Sequence, residues 1–187
     1  MSLDEWLRAR YEAMSPNPEV LALAAEVSKT YAIAVLTNNS QLVSDWNDDG
    51  NLSRASERAR GNFLFARRVF DTYRENMRSF TDNEVLPGVN AMPLPGHTAG
   101  HSGYRIESDD RSLLVWGDIV HFPQIQIARP YVSIAFDQDP MLSADTRSRL
   151  LDVVSSDRIL IAGMHLGELG FARIERIGKA YNISYEA

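Results

Sequence analysis

Apolar and polar positions along this chain change period several times, and each change marks an element. Across residues 3–14 the apolar side chains Leu3, Trp6, Leu7 and Tyr11 recur at helical spacing, which predicts a short amphipathic helix. The run Ser15-Pro16-Asn17-Pro18 interrupts it. Asn17 as N-cap, Pro18 at the first helical position and Glu19 in the first turn predict a second helix to about residue 29. Residues 31–37 are a short apolar run that predicts a buried strand, with Asn38, Asn39 and Ser40 as a polar loop at its carboxyl end. Open α/β sheets place ligands at such loops. Residues 41–53, with Asp45, Asn47, Asp48, Asp49 and Gly50, are turn-rich and lead into a predicted helix over 53–77. Beyond it, strand-like runs at 89–94, 102–107, 112–116 and 131–136 alternate with Gly, Pro, Asn and Asp. A helix over 143–155 with Ser143 as its N-cap follows, then a strand over 158–162. A closing pair of strands spans 172–177 and 181–185, with Gly178 at their turn.

Composition bounds what these elements build. The 187 residues are 44% hydrophobic and include 7 Phe, 7 Tyr and 3 Trp, enough apolar material for one folded domain, or one domain with an appendage. The clearest seam falls near residue 40, dividing a helix-helix-strand segment (1–40) from the remainder (41–187). No apolar run approaches the length of a bilayer span, and the acidic start (Asp4, Glu5) is unlike a secretion signal, so a cytoplasmic protein with no membrane partner is expected. A net charge of −6, from 19 basic and 25 acidic residues, argues against nucleic acid as a partner. The exception is residues 54–78, where seven arginines alternate with Phe63, Phe65, Val69 and Phe70; this reads as the solvated face of an amphipathic helix. There is no Cys, so any metal centre must be built from imidazoles and carboxylates.

All four histidines, His97, His101, His121 and His165, stand after residue 96, each beside the end of a predicted strand. His97 and His101 are four apart, but Pro95, Gly96, Gly100 and Gly103 surround them, so a Gly-rich loop rather than a helix carries them. Asp118 follows the apolar run 113–116 through Gly117, and His165 follows the run 159–162 in the same way. His97, Asp118 and His165 are residue types that suit a divalent metal with an open coordination position.

The blocks Pro95-Gly96-His97-Thr98-Ala99-Gly100-His101-Ser102-Gly103-Tyr104, Trp116-Gly117-Asp118-Ile119-Val120-His121 and Gly163-Met164-His165 resemble the second half of the metallo-β-lactamase superfamily. The resemblance implies an α/β (α+β) fold, part of an αββα sandwich, and a metal-dependent hydrolase acting on an ester, lactone, thioester, amide or phosphoester of a small-molecule substrate. It implies that His97 ligates a first metal, Asp118 bridges two, and His165 ligates the second, with Zn, Mn or Fe as the ion and Asp118 and His165 as catalytic residues. Thr98, His101, Ser102, Tyr104 and His121 would support these ligands. The superfamily's His-x-His-x-Asp-His loop has no counterpart, since no His precedes residue 97, so the ligand shell read from the sequence is incomplete.

Upstream, Asn17-Pro18-Glu19-Val20-Leu21 and the run 31–40 resemble the haloacid dehalogenase superfamily around its second motif, which implies phosphate binding at Thr37 and a phosphatase activity. That superfamily's Asp-x-Asp motif precedes its Thr. Here the Asp-x-Asp is Asp137-Gln138-Asp139, downstream and followed by Pro140, and it reads as a pair of turn and capping residues. Two resemblances meeting near residue 40 point to a chimera or rearranged gene. A catalytically inactive protein that keeps the fold and self-associates is the competing expectation, with a homodimer covering a sheet left exposed by the short N-terminal half.

Overall fold

The computed structural model describes residues 18–30, 71–72, 74–76, 80, 84–167 and 170–186. The chain divides into two compact units, Met1–Thr37 and Asn38–Ala187. In the first, helix α1 (Pro18–Val27) starts at the proline and carries Glu19 in its first turn, as the sequence predicts. The helix expected over 3–14, the strand over 31–37 with Thr37, and most of the helix over 53–77 lie outside the described residues.

Among the described residues of the second unit, seven strands form one sheet in chain order: β1 (Glu84–Leu86), β2 (Val89–Pro93), β3 (Ser102–Ser108), β4 (Arg111–Val115), β5 (Leu160–Ala162), β6 (Phe171–Ile177) and β7 (Ala180–Glu186). Every neighbouring pair is antiparallel except β4 and β5, which run parallel with Leu113 opposite Leu160 and Val115 opposite Ala162. A parallel pair needs a crossover, and residues 116–159 supply it with a short helix α2 (Pro123–Gln126) and a long one, α3 (Pro140–Ser156). This mixed α/β arrangement fits the expected partial metallo-β-lactamase architecture.

The directions of the strands decide where chemistry can gather. Because β2 opposes β3 and β3 opposes β4, strands β2, β4 and β5 all point the same way. Their carboxyl ends therefore share one edge of the sheet, and the loops leaving them carry His97 and His101, then Asp118 and His121, then His165. The core lies between the sheet and α3. Leu114, Ile161, Ala172 and Ile174 from the strands meet Leu150, Leu151 and Val154 from the helix, with Trp116, Ile119 and Ile127 closing the end near the loops.

Two sequence expectations change. The run 131–136 is not a strand. Its backbone groups are held by side chains: the carbonyl of Val132 accepts from Gln126 Nε2 (3.0 Å) and Arg147 Nη1 (2.9 Å), and the Ile134 amide donates to Asp137 Oδ2 (3.2 Å). Tyr131 and Phe136 are exposed, so the apolar run buries neither of its aromatic ends. Helix α3 begins three residues earlier than expected. Pro140 occupies its first turn, and Asp139, not Ser143, caps it by accepting the Leu142 amide at 3.0 Å. Ser143 instead lies on the buried stripe Ser143, Thr146, Arg147, Leu150, Leu151, Val154, whose spacing is that of a helix face turned to the core. The first half of that stripe is polar, and it faces the loops of the shared edge.

Candidate metal centre

The loop after β2 folds tightly against the start of α3. Gly96 adopts φ +127°, and a Cβ there would come within 2.3 Å of the Ser143 backbone nitrogen, so only glycine fits. The Asp139 amide donates to the Gly96 carbonyl (2.9 Å) and the Gln138 amide to the His97 carbonyl (3.1 Å). This fixes the His97 backbone. Its ring is fixed by Asp137, whose Oδ1 lies 3.1 Å from His97 Nδ1. A carboxylate can only accept, so Nδ1 carries a proton toward Asp137, and Nε2, the nitrogen left for another partner, faces Asp118 Oδ2 at 3.9 Å.

Asp137 is itself buried and paired. Arg147, fully buried on α3, places Nη2 3.6 Å from Asp137 Oδ2 and donates to the carbonyls of Ile119 (2.7 Å), Pro130 (2.6 Å) and Val132 (2.9 Å) and to Ser143 Oγ (3.1 Å). Burial lowers the guanidinium pKa, and the Asp137 carboxylate opposes that shift. One arginine thus ties α3, the segment behind Asp118 and the orienting carboxylate into a single network.

His101 serves the site differently. It is buried, and its Nδ1 donates to the Leu94 carbonyl at 2.9 Å while its Nε2 accepts the Asp118 amide at 2.9 Å. Both ring nitrogens are used, so His101 is a brace between the β2 loop and the Asp118 loop and offers no lone pair to a metal. Burial lowers its pKa, which keeps the ring neutral as this bonding requires.

Asp118 and His165 stand on the open side of the cluster, with roughly a third of each side chain exposed (34% and 38%) and His165 Nε2 3.3 Å from Asp118 Oδ1. The turn into His165 depends on Gly163, where a Cβ would lie 2.2 Å from the indole Nε1 of the buried Trp116. His121 sits between the other rings, 4.9 Å from His97 and stacked on His165 at 4.3 Å between centroids. Its amide and that of Phe122 both donate to Gln126 Oε1 (2.7 and 2.9 Å), which fixes its backbone. Burial, and then the neighbouring His165 and His97 rings, lower the His121 pKa to about 4. Its Nδ1 is buried with no hydrogen-bond partner.

The structure therefore brings together the expected ligands His97, Asp118 and His165. It also moves His121 from a supporting place into the group, since one donor atom each from His97, Asp118 and His121 lies within 4.8 Å of the other two. Ser102 Oγ donates to the Gly100 carbonyl (3.3 Å), inside its own loop. Tyr104 is buried on β3 opposite Val115, and burial raises its phenol pKa. Thr98 Oγ1 is buried without a partner. The donor set fits a divalent cation: a carboxylate, the His97 Nε2 left over by the bond at Nδ1, and the His121 ring, whose buried Nδ1 is unsatisfied and whose pKa burial lowers. Asp137, Arg147 and Gln126 were absent from the expected site. A signal for Arg147 exists in the sequence, as a charged residue at a buried-stripe position; for Asp137 and Gln126 there is none.

The fold has counterparts. The structure of hydrolase AbOPH, of the β-lactamase superfamily, superposes with a TM-score of 0.68 at 24% identity, covering 77% of this chain and 52% of that one. AidC, a dizinc quorum-quenching lactonase in complex with a product, N-hexanoyl-L-homoserine, matches with a TM-score of 0.66 at 18% identity over 78% of this chain and 49% of its own. This chain has part of the metallo-β-lactamase fold. A probable metal-dependent hydrolase from Staphylococcus aureus matches less extensively, with a TM-score of 0.51 at 24% identity over 60% of this chain and 40% of that one. The chain thus spans about half the length of the first two structures it matches. No protein-family model matches the sequence, and no curated protein does. Among the described residues, no helix is long and apolar enough to cross a membrane.

Proposed function

We propose that this protein is a metal-dependent hydrolase that cleaves an ester, lactone, thioester, amide or phosphoester bond of a small molecule. The observation that carries this reading is the convergence of His97, Asp118, His121 and His165, from three separate loops, on one partly open cluster. The shared fold with AbOPH, described as a hydrolase, and with AidC, described as a lactonase, supports it.

A bound divalent cation supplies a Lewis acid that polarises the scissile group and makes water acidic enough to react near neutral pH. His97 and Asp118 would hold it together with the imidazoles that flank them. Asp137 keeps His97 in the tautomer that presents Nε2, and His101 holds the backbone of Asp118 in place. Asp118 and His165, on the open side, are the groups within reach of a proton moving between water and the leaving group. Phe122, Phe136 and Met164 are exposed on the loops that carry His121, Asp137 and His165, a surface that favours a substrate with an apolar portion.

The test uses the full chain stripped with chelator and reloaded with Zn, Mn or Fe, against a panel of aryl ester, γ-lactone, thioester, amide and aryl phosphate. Turnover that requires the metal and disappears in His97→Ala is the expected result. Bound metal with no metal-dependent turnover on any of the five would replace this reading with that of a catalytically inactive fold.

A further inference from the structure

We propose that the cation is single and that His121, rather than His165, is its third protein ligand beside His97 and Asp118. This rests on the reading of the cluster as a metal centre and departs from the ligand set that the family resemblance implies. Three observations favour His121. Its donor atom and those of His97 and Asp118 lie within 4.8 Å of one another. That is close to the span one ion bridges, about 3.3–4.3 Å at metal–ligand bonds of about 2.0–2.2 Å. Its Nδ1 is buried and has no hydrogen-bond partner, a state that a ligand relieves. Its backbone is held by Gln126, which is buried and bonded in turn to the Val132 carbonyl, so the ring starts from a fixed base.

His165 has the opposite character. Its ring is among the more exposed of the cluster, and its Nε2 stands 3.3 Å from Asp118 Oδ1, the carboxylate oxygen turned away from His97. There it flanks the carboxylate while its ring covers the face of His121 at 4.3 Å. It is a positioning residue for Asp118. The consequence for this chain is specific: its centre needs three donors from two loops, and no histidine ahead of residue 97 is required to form it.

The experiment is a titration of the chelator-stripped full chain with Co(II), followed by visible absorption, and with Zn(II), followed by calorimetry. Wild type, His97→Ala, His121→Ala, His121→Gln and His165→Ala are compared, each checked for folding by circular dichroism. Wild type should bind one equivalent. His97→Ala and both His121 variants should lose at least about 100-fold in affinity, while His165→Ala should stay within about 10-fold, the lower end of what removing an outer partner of a ligand costs. The Gln variant keeps the side chain polar, so its loss of binding with an intact fold separates ligation from packing. A 100-fold loss in His165→Ala with His121→Gln near wild type overturns the assignment and leaves the metal-centre reading standing. Equal large losses in both, with two equivalents in wild type, overturn it in favour of a dinuclear site. Absence of binding by wild type overturns the proposal and the metal-dependent function together.

Discussion

Replacing Arg147 by Met should damage the protein more than any surface substitution could, and the reason is electrostatic before it is steric. Met fills much of the volume of the arginine stem but cannot donate. The change removes charged hydrogen bonds to the carbonyls of Ile119, Pro130 and Val132 and to Ser143 Oγ, and leaves Asp137 as a buried carboxylate without its cationic partner. A hydrogen bond to a charged group contributes about 1.5–3 kcal/mol, but the four share one side chain and do not add. Stranding one member of a buried pair costs about 3–5 kcal/mol. A loss of about 4–6 kcal/mol follows, a large part of the roughly 5–15 kcal/mol by which an ordinary domain is stable. Urea unfolding of the metal-free protein, read as a shift of the midpoint at constant slope, measures it. The double variant Arg147→Met with Asp137→Leu removes the stranded charge along with the arginine, and should be more stable than Arg147→Met alone by about 2 kcal/mol. A cost below about 1 kcal/mol for the single variant, or a double variant as unstable as the sum of both singles, would show that Asp137 is not stranded by the loss of Arg147.

Three further predictions follow from the same contacts. Asp137→Ala should weaken Zn binding by about 10- to 100-fold, since His97 then turns freely and loses its fixed tautomer; competition against a chromogenic chelator reads this directly. The metal-free protein should lose stability on acidification. The folded-state pKa of His121 is about 4 and that of His101 is lowered as well, against an ordinary value of 6.5. Below pH 6.5 the unfolded chain therefore binds protons that the folded chain refuses; this stability is fully present above about 6.5 and falls as the pH drops toward 4, and His121→Gln should flatten that decline in urea midpoints measured across the range. Gly163→Ala should cost more than about 2 kcal/mol, because its Cβ would meet the buried Trp116 indole at 2.2 Å and neither backbone nor ring has room to yield. A thermal midpoint within a degree or two of wild type would contradict that.

Much of the sheet was legible because its strands are short, apolar and bounded by turn residues: 89–94, 102–107, 172–177 and 181–185 correspond to β2, β3, β6 and β7. The clustered residues were legible for a related reason. His97, Asp118 and His165 each follow a strand through a glycine-bearing loop, and strand direction then brings the three loops to one edge. The run 131–136 misled because alternation of apolar residues reports a pattern, while a strand also needs a neighbour to bond; here Gln126, Arg147 and Asp137 take those backbone groups instead. Asp137 and Asp139 were read together as turn and capping residues while the helix cap was given to Ser143; Asp139 takes that cap, and Asp137 carries an added role that depends on a residue 40 positions away, His97. Long-range pairing of that kind leaves no local trace. The place of His121 was likewise hidden, since its distance from Asp118 in sequence says nothing about which way its ring turns.

If these loops enclose a metal centre, the ion can be located directly. Diffraction from crystals of the full chain grown with Zn, recorded on both sides of the zinc absorption edge, tests this most directly. One anomalous peak bonded to His97 Nε2 and an Asp118 carboxylate oxygen at about 2.0–2.2 Å is expected. Crystals that hold zinc elsewhere, or none, with His97 and Asp118 free of any anomalous density, would contradict it.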